Sequence, residues 1–340
     1  MINSQYKLVK PLTIESFHQN IDYNKPNQII VRPTHLSICK ADLRYYFGNR
    51  SAEVLKERLP LALIHEATGI VLNDSTNTHK IGSRVIMLPN IPGSDTFYEE
   101  NYRLDSLFRS SRADGFMQEM VALPLNQVIT VNDNVNPELA AISEFISVGV
   151  HAVETFKRVS HSRRDNIAVW GDGALGYVIS CLIKEYFPES RLTVIGISRT
   201  KLEMFSFADE TVLVNDLPKK CRFDHAFECV GGQASENAIN QVIDTIMPTG
   251  TLTLMGVSEN FVSINTRMVL EKGLMLIGRS RSKKEDFEKC VELMETNKRF
   301  KSRISMLISD VINVRQVNDI YKAFDAAKSV NFKLVMEWNM

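Results

Sequence analysis

The chain has 340 residues, more than one compact core of ordinary size holds, and this length predicts two domains. Its 40 Lys and Arg residues balance its 40 Asp and Glu residues, so no field of one sign is available to attract nucleic acid. Charged residues make up 24 % and apolar residues 44 % of the chain, and these proportions exclude long disordered tracts.

The sequence carries no signal for export or for membrane insertion. The N-terminal segment lacks an apolar core, and no run approaches eighteen apolar residues. The five cysteines are scattered and odd in number, which argues against a disulfide framework of the secreted type. We therefore expect a cytoplasmic protein that spans no membrane.

Two periodic patterns divide the chain. Residues 28–38 and 67–88 carry β-branched runs separated by turn residues, which predict a mostly β first third. From residue 166 onward, apolar strands alternate with helical segments, and this alternation predicts a parallel sheet with helices on both faces. The C-terminal tail does not continue the alternation, so we expect it to return to the first domain.

The predicted fold class is therefore α/β, with a doubly wound parallel-sheet domain inserted into a mostly β domain. We place the mostly β domain at residues 1–147 and 286–340, and the inserted domain at residues 148–285.

A glycine-rich segment follows the first strand of the inserted domain. The sequence GDGALG at residues 171–176 matches G-x-G-x-x-G between the apolar segment NIAVW and an apolar helix. Glycines in this context allow a tight turn and a close approach of the backbone to a pyrophosphate at the helix N-terminus. We predict a dinucleotide site rather than a glycine turn without nucleotide, with these binding residues: Gly171, Gly173, Ala174, Leu175 and Gly176.

The end of the second strand indicates which dinucleotide binds. NAD-selective folds usually carry a carboxylate there for the ribose 2′-hydroxyl, but RLTVIG is followed by Ser198, Arg199 and Lys201. A guanidinium suits a 2′-phosphate, so these residues favour NADP. The alternative interpretation is a solvated, charged helix start.

A second set of residues predicts a metal site. Cys39, His65, Glu66 and Glu144 together offer a thiolate, an imidazole and two carboxylates, which can form a tetrahedral zinc site that leaves a position for substrate. Any one of them alone is more often a buried or structural residue. The residues themselves leave open whether Glu66 or Glu144 completes the site.

These fragments resemble the zinc-containing medium-chain dehydrogenase/reductase family, which includes alcohol and sorbitol dehydrogenases. The resemblance covers nearly the whole chain and rests on Cys39 with Asp42, His65-Glu66, the segment ADGFMQE at 113–119, SEFISVGVHA at 143–152 and GDGALG. It implies a GroES-like mostly β catalytic domain, a Rossmann domain and one catalytic zinc. In that family zinc acts as a Lewis acid while the nicotinamide delivers a hydride.

Two departures from the family pattern stand out. Residues 89–112 contain no cysteine, so we expect no second, structural zinc. Ala41 replaces the Ser or Thr that often passes protons to the substrate, so another group must do this. Tyr45 and a water held by Glu66 or Glu144 are the candidates.

Other fragments, such as CKADLRYYFG and LFRSSRADGFMQ, particularly resemble the ribulose-5-phosphate reductases (ribitol-5-phosphate dehydrogenases) of bacterial teichoic acid and capsule synthesis. This resemblance implies NADPH-linked reduction of D-ribulose 5-phosphate to D-ribitol 5-phosphate. It also implies a homodimer, and a ribitol-5-phosphate cytidylyltransferase as a partner that makes CDP-ribitol. Basic residues near the metal site are candidates for the substrate phosphate, with surface charges as the alternative: Arg109, Arg112, Lys40 and Arg44.

Two other functions stay open at this stage. An NAD-linked sorbitol or polyol dehydrogenase would use the same metal and nucleotide sites on an unphosphorylated substrate. A non-catalytic protein that binds NADPH as a sensor or scaffold would account for the missing hydroxyl at Ala41.

Overall fold

The computed structural model describes residues 1–218 and 220–340. The chain forms two compact units, one of Met1–Ser147 with Ser282–Met340 and the other of Val148–Arg281. The return to the first unit at Ser282 lies four residues before the expected position 286. The reason is local, because the backbone N–H of Lys283 donates to Asp286 Oδ2 at 3.0 Å and caps the next helix, which stays intact in one unit.

The first unit is rich in short strands. Its strands are β1 (Ile2–Lys10), β2 (Thr13–Asn20), β3 (Gln28–Ile38), β4 (Leu61–Ala62), β5 (Glu66–Asp74), β6 (Arg84–Met87), β7 (Asn90–Ile91), β8 (Leu107–Phe108), β9 (Val121–Pro124), β10 (Val128–Thr130), β17 (Ile308–Val314) and β18 (Lys333–Trp338). Its helices are α1 (Lys40–Tyr46), α2 (Ala52–Arg58), α3 (Pro137–Ala141), α9 (Lys284–Thr296), α10 (Lys298–Ser305) and α11 (Val317–Ala326). Helix α4 (Ser143–Val159) begins in this unit and continues into the second.

The largest sheet of the first unit joins distant parts of the chain. Its strands follow the order β10-β6-β5-β3-β18-β17, and β9 also pairs with β3. Strand β3 is central, and apolar residues near both of its ends are buried, as at Ile29, Val31 and Leu36, whereas Arg32 in its middle is exposed. The C-terminal strand β18 pairs antiparallel with β3, with Leu334 opposite Ile38. The sheet therefore places residues from both ends of the chain beside each other.

The segment that lacks cysteines is held by hydrogen bonds. Within residues 89–112, β7 pairs with β8, and Asp105 Oδ2 accepts from the backbone N–H and the hydroxyl of Ser94 at 2.7 and 2.8 Å. Arg103 Nη1 donates to the carbonyl oxygen of Gly93 at 2.9 Å. A Cβ at Gly93 would lie 1.6 Å from Asp105 Oδ1, so any larger residue there would displace the Asp105 carboxylate.

The second unit is a single parallel sheet with helices. Its elements are β11 (Asn166–Trp170), α5 (Ala174–Tyr186), β12 (Arg191–Gly196), α6 (Arg199–Leu202), β13 (Glu210–Leu213), β14 (Phe223–Glu228), α7 (Ser235–Thr245), β15 (Ile246–Leu254), α8 (Thr266–Glu271) and β16 (Met275–Gly278). The strand order is β13-β12-β11-β14-β15-β16. Strands are added on one side of β11 up to β13 and on its other side from β14 onward, so the order of addition reverses between β11 and β14. Ligands of such sheets bind at the carboxyl ends of the strands around that point.

None of the helices within residues 1–218 and 220–340 combines the length and the apolar character that a membrane span requires.

His225 is a buried polar residue in the centre of the parallel sheet, on β14. Its Nδ1 accepts from the backbone N–H of Thr251 at 3.1 Å, and its Nε2 lies 3.0 Å from the carbonyl oxygen of Arg163. A neutral ring protonated at Nε2 satisfies both contacts, whereas a proton on Nδ1 would face the Thr251 N–H. Burial, together with His161 at 4.2 Å between ring centroids, lowers the pKa of His225 to about 4.

This lowered pKa predicts acid sensitivity of the second unit. The unfolded state takes up a proton at His225 near pH 6.5, and the folded state does so only near pH 4. The free energy of unfolding should therefore fall as the pH drops between these values, by up to about 1.4 kcal/mol per pH unit. Urea unfolding at a series of pH values measures this free energy. The fluorescence of Trp170 reports the transition in a Trp338→Phe background. His225→Gln should remove this part of the decline, and an unchanged pH slope would contradict the prediction.

Candidate metal and dinucleotide sites

Sheet pairing brings three of the predicted metal-site residues together. Cys39 directly follows β3 and is the N-cap of α1, while His65 and Glu66 stand at the start of β5. Because β3 and β5 pair antiparallel, with Ser37 opposite Glu66, the end of one strand meets the beginning of the other. Glu144 lies in the first turn of α4 in the same unit.

Asp42 connects the segments that carry these residues. It is fully buried, and its Oδ2 accepts from the backbone N–H of Cys39 at 3.0 Å. Its Oδ1 accepts from the backbone N–H of Ile64 at 3.1 Å and from the hydroxyl of Ser110 at 2.6 Å. Burial raises the pKa of the Asp42 carboxyl, but His65 and these hydrogen bonds outweigh that effect and lower it. Asp42 is thus an ionised anchor for both sides of the site.

The imidazole of His65 lies between two carboxylates. Its Nδ1 is 3.6 Å from Asp42 Oδ1, and its Nε2 is 4.0 Å from Glu144 Oε2. Burial alone would lower the pKa of His65, but Asp42 and Cys39 raise it well above its usual value. A carboxylate at Nδ1 orients a ring whose Nε2 is offered to a metal ion.

Glu66 is held by a lysine from the far end of the sequence. Lys333, the first residue of β18, donates from Nζ to Glu66 Oε1 at 2.6 Å, and both side chains are buried. Burial would lower the pKa of Lys333, but Glu66 raises it. Glu66 Oε2 is buried and has no hydrogen-bond partner among the described residues. An unpaired buried carboxylate oxygen is costly, so this atom is suited to a cation.

The Glu144 carboxyl has an unusual proton affinity. Burial raises its pKa to about 7, an effect that Glu66 increases and that His65 and Lys333 oppose. A buried carboxyl with this pKa exchanges protons near neutral pH, which is typical of functional sites.

The donor atoms form two overlapping groups. Cys39, Asp42 and His65 make one group, and His65, Glu66 and Glu144 make the other, each with its ligand atoms within 4.8 Å of one another. His65 belongs to both, so the structure assembles all four predicted residues around one imidazole. One thiolate, one imidazole and carboxylates are the donor set of catalytic zinc sites, and the unpartnered Glu66 Oε2 fits a cation.

The sequence did not identify every contributor to this site. Lys333 is 267 positions from Glu66, and no local pattern connects them. Ser110 lies within the segment that the family comparison singled out only for its lack of cysteines. Of the proposed proton-relay residues, Tyr45 is buried in α1, with the Arg50 guanidinium 5.0 Å from its ring centroid.

The predicted dinucleotide loop forms a tight strand-to-helix turn. Gly171 has φ of 123°, a conformation that only glycine adopts readily. A Cβ at Gly176 would lie 1.9 Å from the Gly171 carbonyl oxygen, so the helix approaches the strand closely there. Gly173 is the N-cap of α5 and has open space around its Cα, whereas Ala174 and Leu175 begin the helix half-buried. The loop therefore exposes backbone at the N-terminus of a long helix.

The predicted NADP residues lie after β12. Ser198 is the N-cap of α6, and its hydroxyl accepts from the Lys201 backbone N–H at 3.4 Å. Arg199 is exposed and Lys201 is half-buried. A neighbouring carboxylate that the sequence analysis did not assign, Asp172, accepts from the backbone N–H groups of Ile197 and Ser198 at 2.8 and 2.7 Å.

The basic residues proposed for a phosphate have different environments. Arg109 is largely enclosed, donates from Nη1 to the Asp114 carbonyl oxygen at 3.1 Å and lies over the Phe116 ring. Burial lowers its pKa to about 10, and its Nε is buried without a partner among the described residues. Arg112 is exposed beside a surface pocket of about 250 Å³. Lys40 is exposed and Arg44 half-buried on α1.

Comparisons with known proteins cover the full chain. The family description "Alcohol dehydrogenase GroES-like domain" matches residues 25–133. The chain is 43 % identical to a ribulose-5-phosphate reductase of Bacillus spizizenii and 42 % identical to ribulose-5-phosphate reductase 1 of Staphylococcus aureus, over 100 % of each partner. A crystal structure of S. aureus TarJ in complex with NADPH matches with a TM-score of 0.90 and 39 % identity, covering 100 % of both chains.

These matches confirm the fold class predicted from the sequence, a GroES-like mostly β domain with a Rossmann parallel-sheet domain. The identity to these reductases is above 40 % and spans the whole length of the chain. The chain belongs to the medium-chain dehydrogenase/reductase family and, within it, to the group of ribulose-5-phosphate reductases.

Proposed function

We propose that the protein is a zinc-dependent reductase that converts D-ribulose 5-phosphate to D-ribitol 5-phosphate with NADPH. The observation that carries this proposal is the buried group around His65, with its thiolate and unpartnered carboxylate oxygen, in a chain that matches ribulose-5-phosphate reductases over its full length. The TarJ structure in complex with NADPH supports the choice of cofactor.

We propose Cys39, His65, Glu66 and Glu144 as the residues that hold one zinc ion. When bound, zinc supplies Lewis-acid polarisation of the ketone, and NADPH supplies the hydride. Asp42 fixes the ring of His65 and the backbone of Cys39, so that both donors are oriented before metal binds. Lys333 offsets one of the two glutamate charges. Burial raises the pKa of Glu144 to about 7, and Glu144 would have to be ionised to hold the zinc ion, so zinc binding would strengthen as the pH rises through neutrality.

The turn after β12 supports NADPH over NADH. Ser198, Arg199 and Lys201 offer a hydroxyl and two cations at the strand end where NAD-selective folds carry a carboxylate for the ribose 2′-hydroxyl. The exposed guanidinium of Arg199 can form bidentate hydrogen bonds with a 2′-phosphate. The glycine loop at residues 171–176 supplies the backbone for the pyrophosphate.

Arg109 is the strongest candidate for the phosphate of the substrate. A guanidinium with a buried, unpartnered Nε is costly unless an anion completes its hydrogen bonds, and a sugar phosphate is such an anion. Arg112, Lys40 and Arg44 complete the basic set that we assign to phosphate recognition.

The product of this reaction, a sugar-alcohol phosphate, is a substrate for a nucleotidyl transfer by a second enzyme. We propose that a ribitol-5-phosphate cytidylyltransferase consumes the product to make CDP-ribitol for teichoic acid or capsule, and that the enzyme works as a cytoplasmic homodimer. Size-exclusion chromatography with light scattering, alone and with the cytidylyltransferase, tests both associations.

The metal assignment predicts a stoichiometric zinc that depends on four side chains. Cys39→Ser and His65→Gln should lose it, while Glu66→Gln and Glu144→Gln should weaken zinc binding by about tenfold or more. Zinc per chain is measured by mass spectrometry after dialysis against graded chelator concentrations. Cys290→Ser is the matched control, because Cys290 is a buried cysteine of the same unit whose Sγ donates to the Ser143 carbonyl oxygen at 3.7 Å and which we do not assign to the metal. Full zinc retention in Cys39→Ser would refute the assignment.

The reaction itself is tested by NADPH oxidation with D-ribulose 5-phosphate. We expect turnover with the phosphorylated ketose, loss of turnover on chelation, and recovery with zinc. Unphosphorylated D-ribulose and other free ketoses, each with NADPH and with NADH, form the comparison arms. Turnover of free ketoses with NADH instead would favour a polyol dehydrogenase, and no turnover by zinc-loaded protein would favour a non-catalytic sensor or scaffold.

Substitution of Arg109 separates phosphate recognition from the other steps. Arg109→Ala should raise the KM for D-ribulose 5-phosphate by about tenfold or more, because a charge-assisted contact is lost, and leave the KM for NADPH unchanged. Arg84→Ala is the control, since Arg84 also donates to a carbonyl oxygen in the same unit, that of Val135. Arg109→Lys keeps the positive charge and provides a second variant in case Arg109→Ala does not fold. Equal small effects on both KM values would contradict this role.

A further inference from the structure

Asp172 occupies an unexpected position beside the cofactor-specificity turn. It is the second residue of the glycine-rich loop after β11, and only 8 % of it is exposed. Its Oδ2 accepts from two consecutive backbone N–H groups, those of Ile197 at 2.8 Å and Ser198 at 2.7 Å. These two residues form the turn directly after β12. One side-chain oxygen thus ties the pyrophosphate loop to the turn that carries Arg199.

Gly196 makes this contact sterically feasible. Strands β11 and β12 are neighbours, and the backbone N–H of Gly171 donates to the Ile195 carbonyl oxygen at 2.8 Å, so the two loops begin side by side. A Cβ at Gly196 would lie 2.6 Å from Asp172 Cβ and 2.7 Å from Asp172 Oδ2. Since real Cβ atoms do not approach other atoms so closely, any larger residue at 196 would displace Asp172.

The tie continues from Asp172 into helix α6. Ser198, whose N–H is held by Asp172, uses its own hydroxyl to cap the N–H of Lys201. Asp172 therefore fixes the backbone from which Ser198, Arg199 and Lys201 project. These residues are the ones that we assign to the 2′-phosphate, the group by which NADPH differs from NADH.

The charge of Asp172 would oppose a 2′-phosphate if nothing compensated it. Two N–H donors on the same oxygen offset that charge, as charge-assisted hydrogen bonds do. They also leave these N–H groups unavailable for direct phosphate binding, so side chains must carry the recognition.

We infer that Asp172 is a positioning residue that sets the preference for NADPH over NADH by holding the Ile197–Ser198 turn in place. This inference rests on the proposed use of NADPH. It predicts that loss of the Asp172 hydrogen bonds weakens NADPH binding selectively, because NADH makes no 2′-phosphate contact with the turn.

The test compares cofactor affinities of the full-length protein by calorimetry, without substrate. Asp172→Ala should lower the ratio Kd(NADH)/Kd(NADPH) by about fivefold or more, mainly through NADPH. Asp172→Asn keeps an oxygen that can accept both N–H groups and should retain most of the ratio. Asp209→Ala is the matched control, since Asp209 accepts from the Leu192 N–H at 2.7 Å at the opposite end of β12. It should leave the ratio unchanged.

A mutant cycle tests the mechanism directly. Gly196→Ala should lower the ratio as Asp172→Ala does, and the double variant should be no worse than either single variant, because both remove the same tie. Circular dichroism of each variant verifies that the second unit remains folded.

Three outcomes would overturn the inference. The ratio Kd(NADH)/Kd(NADPH) could fall by less than about fivefold in Asp172→Ala, NADPH affinity could rise in that variant, or the ratio could fall as far in Asp172→Asn as in Asp172→Ala. A gain in NADPH affinity would show that repulsion between Asp172 and the 2′-phosphate dominates, and an equal loss in Asp172→Asn would show that an oxygen able to accept both N–H groups does not preserve the preference. Failure of the proposed cofactor is distinguishable, since the unsubstituted protein would then show no preference for NADPH.

Discussion

The Asp42 carboxylate is the constraint on which the metal site depends. It accepts hydrogen bonds from the backbone at Cys39 and Ile64 and from the Ser110 hydroxyl, and it faces Nδ1 of His65. Three separate segments of chain therefore meet at one buried anion. Because an unpaired buried charge is expensive, each of these donors stabilises the others, and the folded chain itself sets the arrangement of the side chains that we propose as ligands.

In the second unit, buried carboxylates also accept several backbone N–H groups, here at the carboxyl ends of the strands of the parallel sheet. Glu228, at the end of β14, is buried and accepts from the backbone N–H groups of Val230, Gly231 and Gly256, although burial raises its pKa. Asp172 does the same for the turn after β12. Carboxylates thus order the loops where the strands end and where a nucleotide binds such sheets.

Local patterns predicted what depends on neighbouring residues. The β-branched run 28–38 is β3, and the glycines of GDGALG occupy the turn that their lack of side chains permits. Contacts between distant segments were not predictable in this way. Lys333 reaches Glu66 through the pairing of β18 with β3, which no spacing in the sequence encodes. Residues 284–305 form two helices, α9 and α10, because Asn297 Oδ1 accepts from the backbone N–H of Phe300 and starts the second one.

The hydrogen-bonded segment of residues 89–112 has a consequence for how the protein responds to its surroundings. Hydrogen bonds of Asp105, Ser94 and Arg103 stabilise this segment, and none of these side chains is readily oxidised. Thiol oxidation therefore has no target within residues 89–112, which contain no cysteine. Of the two cysteines in the first unit, Cys290 is buried and Cys39 is partly exposed, so thiol oxidation should reach Cys39 first and the folded scaffold should outlast the candidate metal site.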